Sequence, residues 1–426
     1  MNEFPKHWRL LQLEECMDVI IDYRGKTPRK ASFGVPLVTA KIVKGGRIAY
    51  DEARQEYIAY EDYDAWMRRG LPKPGDVVMT TEGPLGEIAQ LDERQVALAQ
   101  RLITLRGKPE LLDNTFLKFL MLSSFVQDQL NARATGTTVL GIRQSELRKM
   151  SLIVPPLVEQ RRIADILGAL DDKIEVNRRI NRTLEAMAQA LFKHWFVDFG
   201  PFQDGEFVES EVGLIPGGWQ VKPLSALVEL LSGGTPKTGV KEYWEGEINW
   251  VAAGDVMAAS PFIETTERTI TQLGVENSSA KILPAFTTII TARGTVGQLG
   301  LLSREMAINQ TNYGIRGTGN LGEFNTYLLI QHAIEQLKQH AYGTVFDTIT
   351  RKTFDAILVS RPPNDVRKNF EGTIRPWFLK MLANQHENVK LAKTRDCLLP
   401  RLLSGEITVE AAEGMAGASA PNEFAA

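Results

Sequence analysis

The sequence predicts a mixed α/β protein (α+β in each half) built as a twofold internal repeat. Two globular units are each followed by a long helix, and the two helices pair antiparallel as a coiled coil. Three observations predict this. A fixed order of motifs in the first 157 residues recurs after residue 218, at an offset between 213 and 207. A stripe of apolar residues spaced three and four apart follows each copy. A Pro-Pro pair, Pro155-Pro156 and Pro362-Pro363, separates unit from helix both times, since Pro suits a first helical turn but stops what precedes it.

The repeat is legible motif by motif. Trp8 with Leu13 matches Trp219 with Leu224. Gly25–Pro28 and Gly233–Pro236 are turns by their Gly and Pro content. Val35–Val43 and Ile248–Val256 read as short buried strands running into loops. Asp76–Gly86 matches Thr287–Gly297, a β-rich run ending in Gly-x-x-Gly, and Gln100 and Gln310 follow at similar distances. Arg106-Gly107 matches Arg316-Gly317, and Asn114–Leu130 and Asn325–Leu337 have amphipathic helical spacing. Ala134–Leu147 matches Ala341–Phe354, and a last short strand leads to each Pro pair. The expected domains are therefore 1–157, a long helix over 158–199, a second unit over 200–363, a second long helix over 364–410, and a mobile tail over 411–426.

The first stripe runs Ile163, Leu167, Leu170, Ile174, Asn177, Asn181, Leu184, Ala188, Leu191, Trp195. Adding 207 gives Phe370, Ile374, Trp377, Met381, Asn384, Asn388, Leu391, Arg395, Leu398, Leu402, so both asparagines recur and only Arg395 departs. Asparagine at a seam position lowers stability and fixes register by bonding across the interface. Two separate surface helices with buried stripes are the plainer reading; the repeated asparagines favour mutual pairing. Antiparallel pairing asks least of the connections, because the second unit then joins neighbouring helix ends. On this topology two similar heads stand at the two ends of a rod.

Composition narrows the function. The 426 residues are enough for two or three domains, and no apolar run reaches the length of a membrane span. Cys16 and Cys397 alone make neither a disulfide framework nor a cysteine metal site, which suits a reducing, cytoplasmic setting. The net charge of −3 is unfavourable for a lone nucleic-acid binder. Residues 1–157 hold 22 basic and 20 acidic groups, whereas 200–363 hold 12 and 17. Any attraction to DNA must come from local patches or a partner. No phosphate-binding P-loop and no nucleophile elbow is present, and the five histidines are scattered, His332 and His340 too far apart for a two-His metal pair. The pattern predicts a protein that binds and positions, with no catalytic residue and no metal.

Two similar but unequal heads suit a duplex, which repeats its groove face every turn, about 34–36 Å apart, so that two half-sites can be read at fixed separation. The target expected is bipartite and asymmetric. Candidate contacts lie in the loops: Lys41, Lys44 and Arg47 after the first strand; Glu82 and Arg293 at one repeat position; Gln100 and Gln310 at another; Arg143, Arg351 and Lys352 in the matched segments before the last strands; and Lys237 after the second Gly-x-Thr-Pro. Arg and Gln can read guanine and adenine edges, Glu can accept from cytosine, and Lys serves phosphate. A solvated loop charge is the plain alternative for each.

These residues resemble a known family, the specificity subunits of type I restriction-modification systems. The resemblance spans almost the whole chain and rests on Gly-x-Thr-Pro at Gly25–Pro28 and Gly233–Pro236, Gly-x-x-Gly at Gly83–Gly86 and Gly294–Gly297, and the run Pro155–Phe196. It implies two target recognition domains, each reading half of a split sequence, and paired helices that set the spacer and dock two adenine-N6 methyltransferase subunits. Those partners use S-adenosylmethionine, and two restriction-translocase subunits use ATP and Mg; the chain itself binds no cofactor. The second helix starts PPNDVRKNF and lacks the Glu-Gln-Arg-Arg of the first. The alternatives are a two-headed recognition subunit of a methylation-only or other phage-defence system, or a structural adaptor that binds no DNA.

Overall fold

A computed structural model describes residues 4–50, 55–136, 138–256, 260–341 and 348–418. Contacts divide the chain into two compact units, Met1–Val176 with Glu387–Ala426, and Asn177–His386. The divisions fall within the long helices rather than at the Pro pairs, so each unit owns a part of both. No helix among the described residues is long and apolar enough to cross a membrane.

Unit 1 is built on a four-stranded antiparallel sheet of β1 (Met17–Asp22), β2 (Val77–Thr81), β3 (Leu85–Gln90) and β4 (Leu102–Gly107), in the order β1-β4-β2-β3. Every residue of β2 is buried because both faces of the sheet are covered. Val77 and Met79 enter the core shared with helix Asn114–Leu122 and the long-helix segments; Val78 enters a second core with Val35, Leu37 and Leu98. Period-two alternation thus feeds two cores from one strand. Asn114–Leu130, expected as one helix, is two, Asn114–Leu122 and Ser124–Arg133. Ser123 between them is extended, and its hydroxyl donates to the Leu120 carbonyl, competing with the helical ladder.

Unit 2 repeats the plan with β5 (Val228–Ser232), β6 (Phe262–Ile263), β7 (Thr288–Thr291), β8 (Leu299–Leu302) and β9 (Asn312–Gly317), ordered β5-β9-β7-β8-β6. Only β6 is parallel to its neighbour. Ile289 and Ile290 divide between two cores as Val78 and Met79 do.

The first long helix spans Leu157–Phe196 and the second Asn364–Leu403. Within unit 1, Asp171 meets Arg395 and Lys173 meets Glu387. Within unit 2, Asn181 meets Asn384, and Phe196 packs on Phe370 with ring centroids 4.7 Å apart. As numbers rise on one helix they fall on the other, so the segments are antiparallel in each unit. Asn384 Nδ2 donates to Asn181 Oδ1 at 2.8 Å, and Asn181 Nδ2 to the Met381 carbonyl at 3.0 Å. Asn177 is buried and Asn388 is partly exposed.

Three features differ from expectation. In unit 2 the buried stripe moves one place off the heptad seam: Phe192, Phe196 and Phe378 are buried, while Leu191, Trp195 and Trp377 are only partly so. A straight helix turns every 3.6 residues, not 3.5, and here its core is a globular domain as well as another helix. Arg395, the mismatch in the repeat, is no flaw, since its guanidinium bonds Asp171 at 2.7 Å and Asp171 also accepts from buried Lys118 at 2.5 Å. The stretch after 411, expected as a mobile tail, begins inside a helix, Val409–Ala418, with Val409 and Ala412 buried in the unit 1 core. Its Ala-rich composition has high helix propensity without an apolar period. Residues 419–426 lie outside the described residues.

The unlike starts of the long helices do related work. Buried Gln160 accepts from Asp113 N at 2.9 Å and donates to the Leu111 and Pro155 carbonyls, holding the loop before helix Asn114–Leu122. The repeat places Arg367 there. Glu371, one turn on, instead accepts from Asn325 N at 2.9 Å at the start of helix Glu323–Ala341. Burial raises the Glu371 pKa, against the backbone hydrogen bonds that lower it.

Candidate nucleic-acid interface

In both units the matched motifs converge at the β2–β3 or β7–β8 turn, through hydrogen bonds that recur one for one. Thr27 Oγ1 donates to Gln100 Oε1 at 2.8 Å, and Thr235 Oγ1 donates to Gln310 Oε1. Thr81 N donates to the Arg101 carbonyl at 2.9 Å, and Ala292 N to the Thr311 carbonyl at 2.8 Å. Glu87 N donates to Thr80 Oγ1 and Gln298 N to Thr291 Oγ1, both at 2.9 Å. Ile142 N donates to the Thr81 carbonyl at 3.1 Å, and Ile349 N to the Ala292 carbonyl at 3.0 Å. Four segments far apart in sequence are thereby fixed around one turn: the Gly-x-Thr-Pro loop, the Gly-x-x-Gly turn, the Gln segment and the segment before the last strand. The turn glycines have positive φ, 50° and 83° at Gly83 and Gly86, 79° and 84° at Gly294 and Gly297, a region that costs glycine little.

On this common frame the units present different side chains. In unit 1, Glu82 is exposed beside Arg101, Oε1 to Nε 3.2 Å, and exposed Arg143 follows the bonded Ile142. Arg24 grips Asp22 through two nitrogens and donates to the Ile142 carbonyl at 2.7 Å. In unit 2, exposed Arg293 stands at the Glu82 position, and exposed Arg351 and Lys352 open a short helix just after Ile349. Lys237 is also exposed, its carbonyl accepting from Trp244 Nε1 at 3.2 Å. Residues 342–347 of the matched segment Ala341–Phe354 lie outside the described residues.

Lys41, Lys44 and Arg47 are held elsewhere in unit 1. Lys44 and Arg47 face each other in a hairpin around Gly45-Gly46, whose Gly45 N donates to Glu87 Oε2 at 3.0 Å. Lys41 lies 3.9 Å from Glu56, which Lys30 also pairs. The positions that sequence reasoning missed are Arg24 and Arg101. Arg101 adjoins Gln100 and was within reach; Arg24 gave no signal, since its partner carbonyl is 118 residues away. The arrangement offers hydrogen-bond donors and one carboxylate at an exposed turn, the inventory that base edges and phosphates require. Among the described residues no group of His, Cys, Asp and Glu could hold a metal ion.

The family described as the type I restriction modification DNA specificity domain matches residues 5–186 and 216–369. The chain is 30% identical to the HindI specificity subunit of Haemophilus influenzae, over 68% of this chain and 77% of that one. It is 25% identical to the MjaIX specificity subunit of Methanocaldococcus jannaschii, over 96% of each. Among solved structures, the S subunit of a type I restriction-modification system from M. genitalium shares the fold, with a TM-score of 0.58 and 15% identity over 94% of this chain and 97% of that one.

Proposed function

The chain belongs to the type I restriction-modification specificity subunits, and from that premise we propose that its two turn clusters read the two unlike halves of a split DNA target. One observation supports this above the rest: the same hydrogen-bonded frame recurs in both units and carries Glu82 in one and Arg293 in the other. A carboxylate accepts from cytosine and a guanidinium donates to guanine, so one frame can read two different words. Gln100, Gln310, Arg143, Arg351 and Lys352 flank the readers, and Lys41, Lys44, Arg47 and Lys237 serve the phosphates.

The long helices set the unread spacer between the half-motifs and dock two adenine-N6 methyltransferase subunits. The outward face of the first helix suits docking: Ala186, Met187 and Ala190 form a shallow groove with Thr183 and two arginines, Arg179 and Arg182. S-adenosylmethionine belongs to those partners; ATP and Mg belong to two restriction-translocase subunits. The chain takes no chemical step, and its −3 charge leaves much of the phosphate attraction to its partners.

The test is to express the full chain with its methyltransferase and map N6-methyladenine in the host genome. A split motif methylated on both strands is expected, and Arg293→Ala should degrade one half-motif only. Absence of any sequence-selective methylation, with both proteins present and folded, rejects the reading. Adding one heptad to both helices at matching places should lengthen the spacer and leave the half-motifs unchanged.

A further inference from the structure

In unit 2 the loop that bears Thr235 and Lys237 rests on two buried tryptophans. Trp250 Nε1 donates to the Gly234 carbonyl at 2.9 Å and Trp244 Nε1 to the Lys237 carbonyl at 3.2 Å. The two rings meet edge to face, with centroids 5.2 Å apart. Over them lies Arg268, its guanidinium carbon 3.5 Å from the Trp244 ring centroid and 5.8 Å from that of Trp250. Its backbone is tied to the same place, for the Arg268 carbonyl accepts from Trp250 N at 3.2 Å. The residue is exposed.

We propose that Arg268 is a further DNA-contacting residue of unit 2, held ready by the Trp244–Trp250 pair. This rests on the DNA-reading function proposed above. A free arginine side chain loses rotamer freedom when it binds; one already stacked has lost it beforehand, and that raises affinity. Stacking on the ring face leaves the N–H groups at the guanidinium edge directed outward, where they suit the paired oxygens of a phosphate. The tryptophans act as positioning residues, holding Arg268 over the Trp244 ring face and the Gly234–Lys237 loop at the indole N–H edges. Unit 1 holds its matching loop by other means: Arg24 bonds Asp22, and Arg69 Nη1 donates to the Arg24 carbonyl at 2.8 Å. Unit 1 has its own stacked arginine at a different place, Arg94 over the Tyr50 ring at 4.2 Å.

The experiment uses the full chain with its methyltransferase and two duplexes, one bearing the split motif mapped in the host and one scrambled at equal length. Arg268→Ala should weaken binding about tenfold on both duplexes and lower the slope of log affinity against log salt by about one. Arg268→Lys should keep the slope and lose part of the affinity, because it keeps the charge but not the planar stack. Trp244→Phe keeps a ring under the guanidinium but loses the bond to Lys237, and should weaken binding less than Arg268→Ala. Unchanged affinity and slope for Arg268→Ala, with or without lower thermal stability, would mean that the arginine only covers the indoles, and would overturn the inference alone. If the parent chain selects neither duplex, the function proposed above falls, and this inference with it.

Discussion

Unit 1 and unit 2 share a backbone frame but secure their helix segments and arm their loops with different chemistry. In unit 1, Asp171 bridges Lys118 of the globular part and Arg395 of the second long helix. In unit 2, the helix segments meet through Asn181 and Asn384, then through the aromatic cluster of Phe192, Phe196 and Phe370. At the turns, unit 1 sets Glu82 against Arg101 while unit 2 exposes Arg293. Both units have in common what positions the turn, namely backbone amides and the Thr–Gln bond. What varied is what the turn shows to solvent. Alteration at those exposed positions leaves the frame's hydrogen bonds untouched, so on the proposed function recognition can diverge without unfolding the unit.

The comparison breaks most sharply at Asp171. Asp171→Ala should destabilise unit 1 by about 3 kcal/mol, because it leaves Lys118 buried without its counter-ion and half-buried Arg395 paired with exposed Asp396 alone. The fall in the denaturation midpoint measures it, and a change below about 0.5 kcal/mol would assign the triad to the surface class. Burial disfavours the charge on Arg395, but its bonds to Asp171 and Asp396 outweigh that and raise its pKa, which agrees with a triad that is ionised.

At the turns the expected effects are on binding. Arg293→Ala and Glu82→Ala should each cost about 1–3 kcal/mol of discrimination, each in a different half-motif. Methylation maps of the two variants decide this, and loss of the same half in both would show that the frames do not read separately.

For the amide pair, Asn384→Ala should cost about 1–2 kcal/mol by removing the donor to Asn181 Oδ1, whereas Leu at both positions should recover or exceed the parent stability while loosening register. Thermal melts of the three chains check the sign. A double variant less stable than the single would mean the amides serve more than each other.

The smallest effect concerns pH and belongs to unit 2. Burial raises the pKa of Glu185, against the hydrogen bonds from Gln331 and Tyr327 that lower it. A native carboxyl that holds its proton more tightly than the unfolded one stabilises fully below the unfolded value, about 4.3, and that contribution is lost as pH rises through the native value. Glu185→Gln should flatten the stability profile across that window. An unchanged slope would show that Glu185 titrates alike in both states.

Much of this was legible in the residues. The repeat, the Pro boundaries and the heptad stripe depend on local spacing, and local spacing is what a sequence records directly. The Thr of Gly-x-Thr-Pro and the Gln some 75 residues later were both visible as repeated motifs; that they bond each other was not. The break at Ser123 and the helix at Val409–Ala418 escaped for a related reason, since neither disturbs or creates an apolar period.

By itself the sequence determined the two-copy plan, the place of the long helices and the four loop motifs of each copy, because these follow from propensity and periodicity along one chain. Only the tertiary structure decided which loops share a turn, that Arg395 belongs to an ion triad, and that Arg268 lies on two indoles. Those facts depend on hydrogen bonds and ring contacts between residues far apart in the chain, and no rule of spacing encodes such distances.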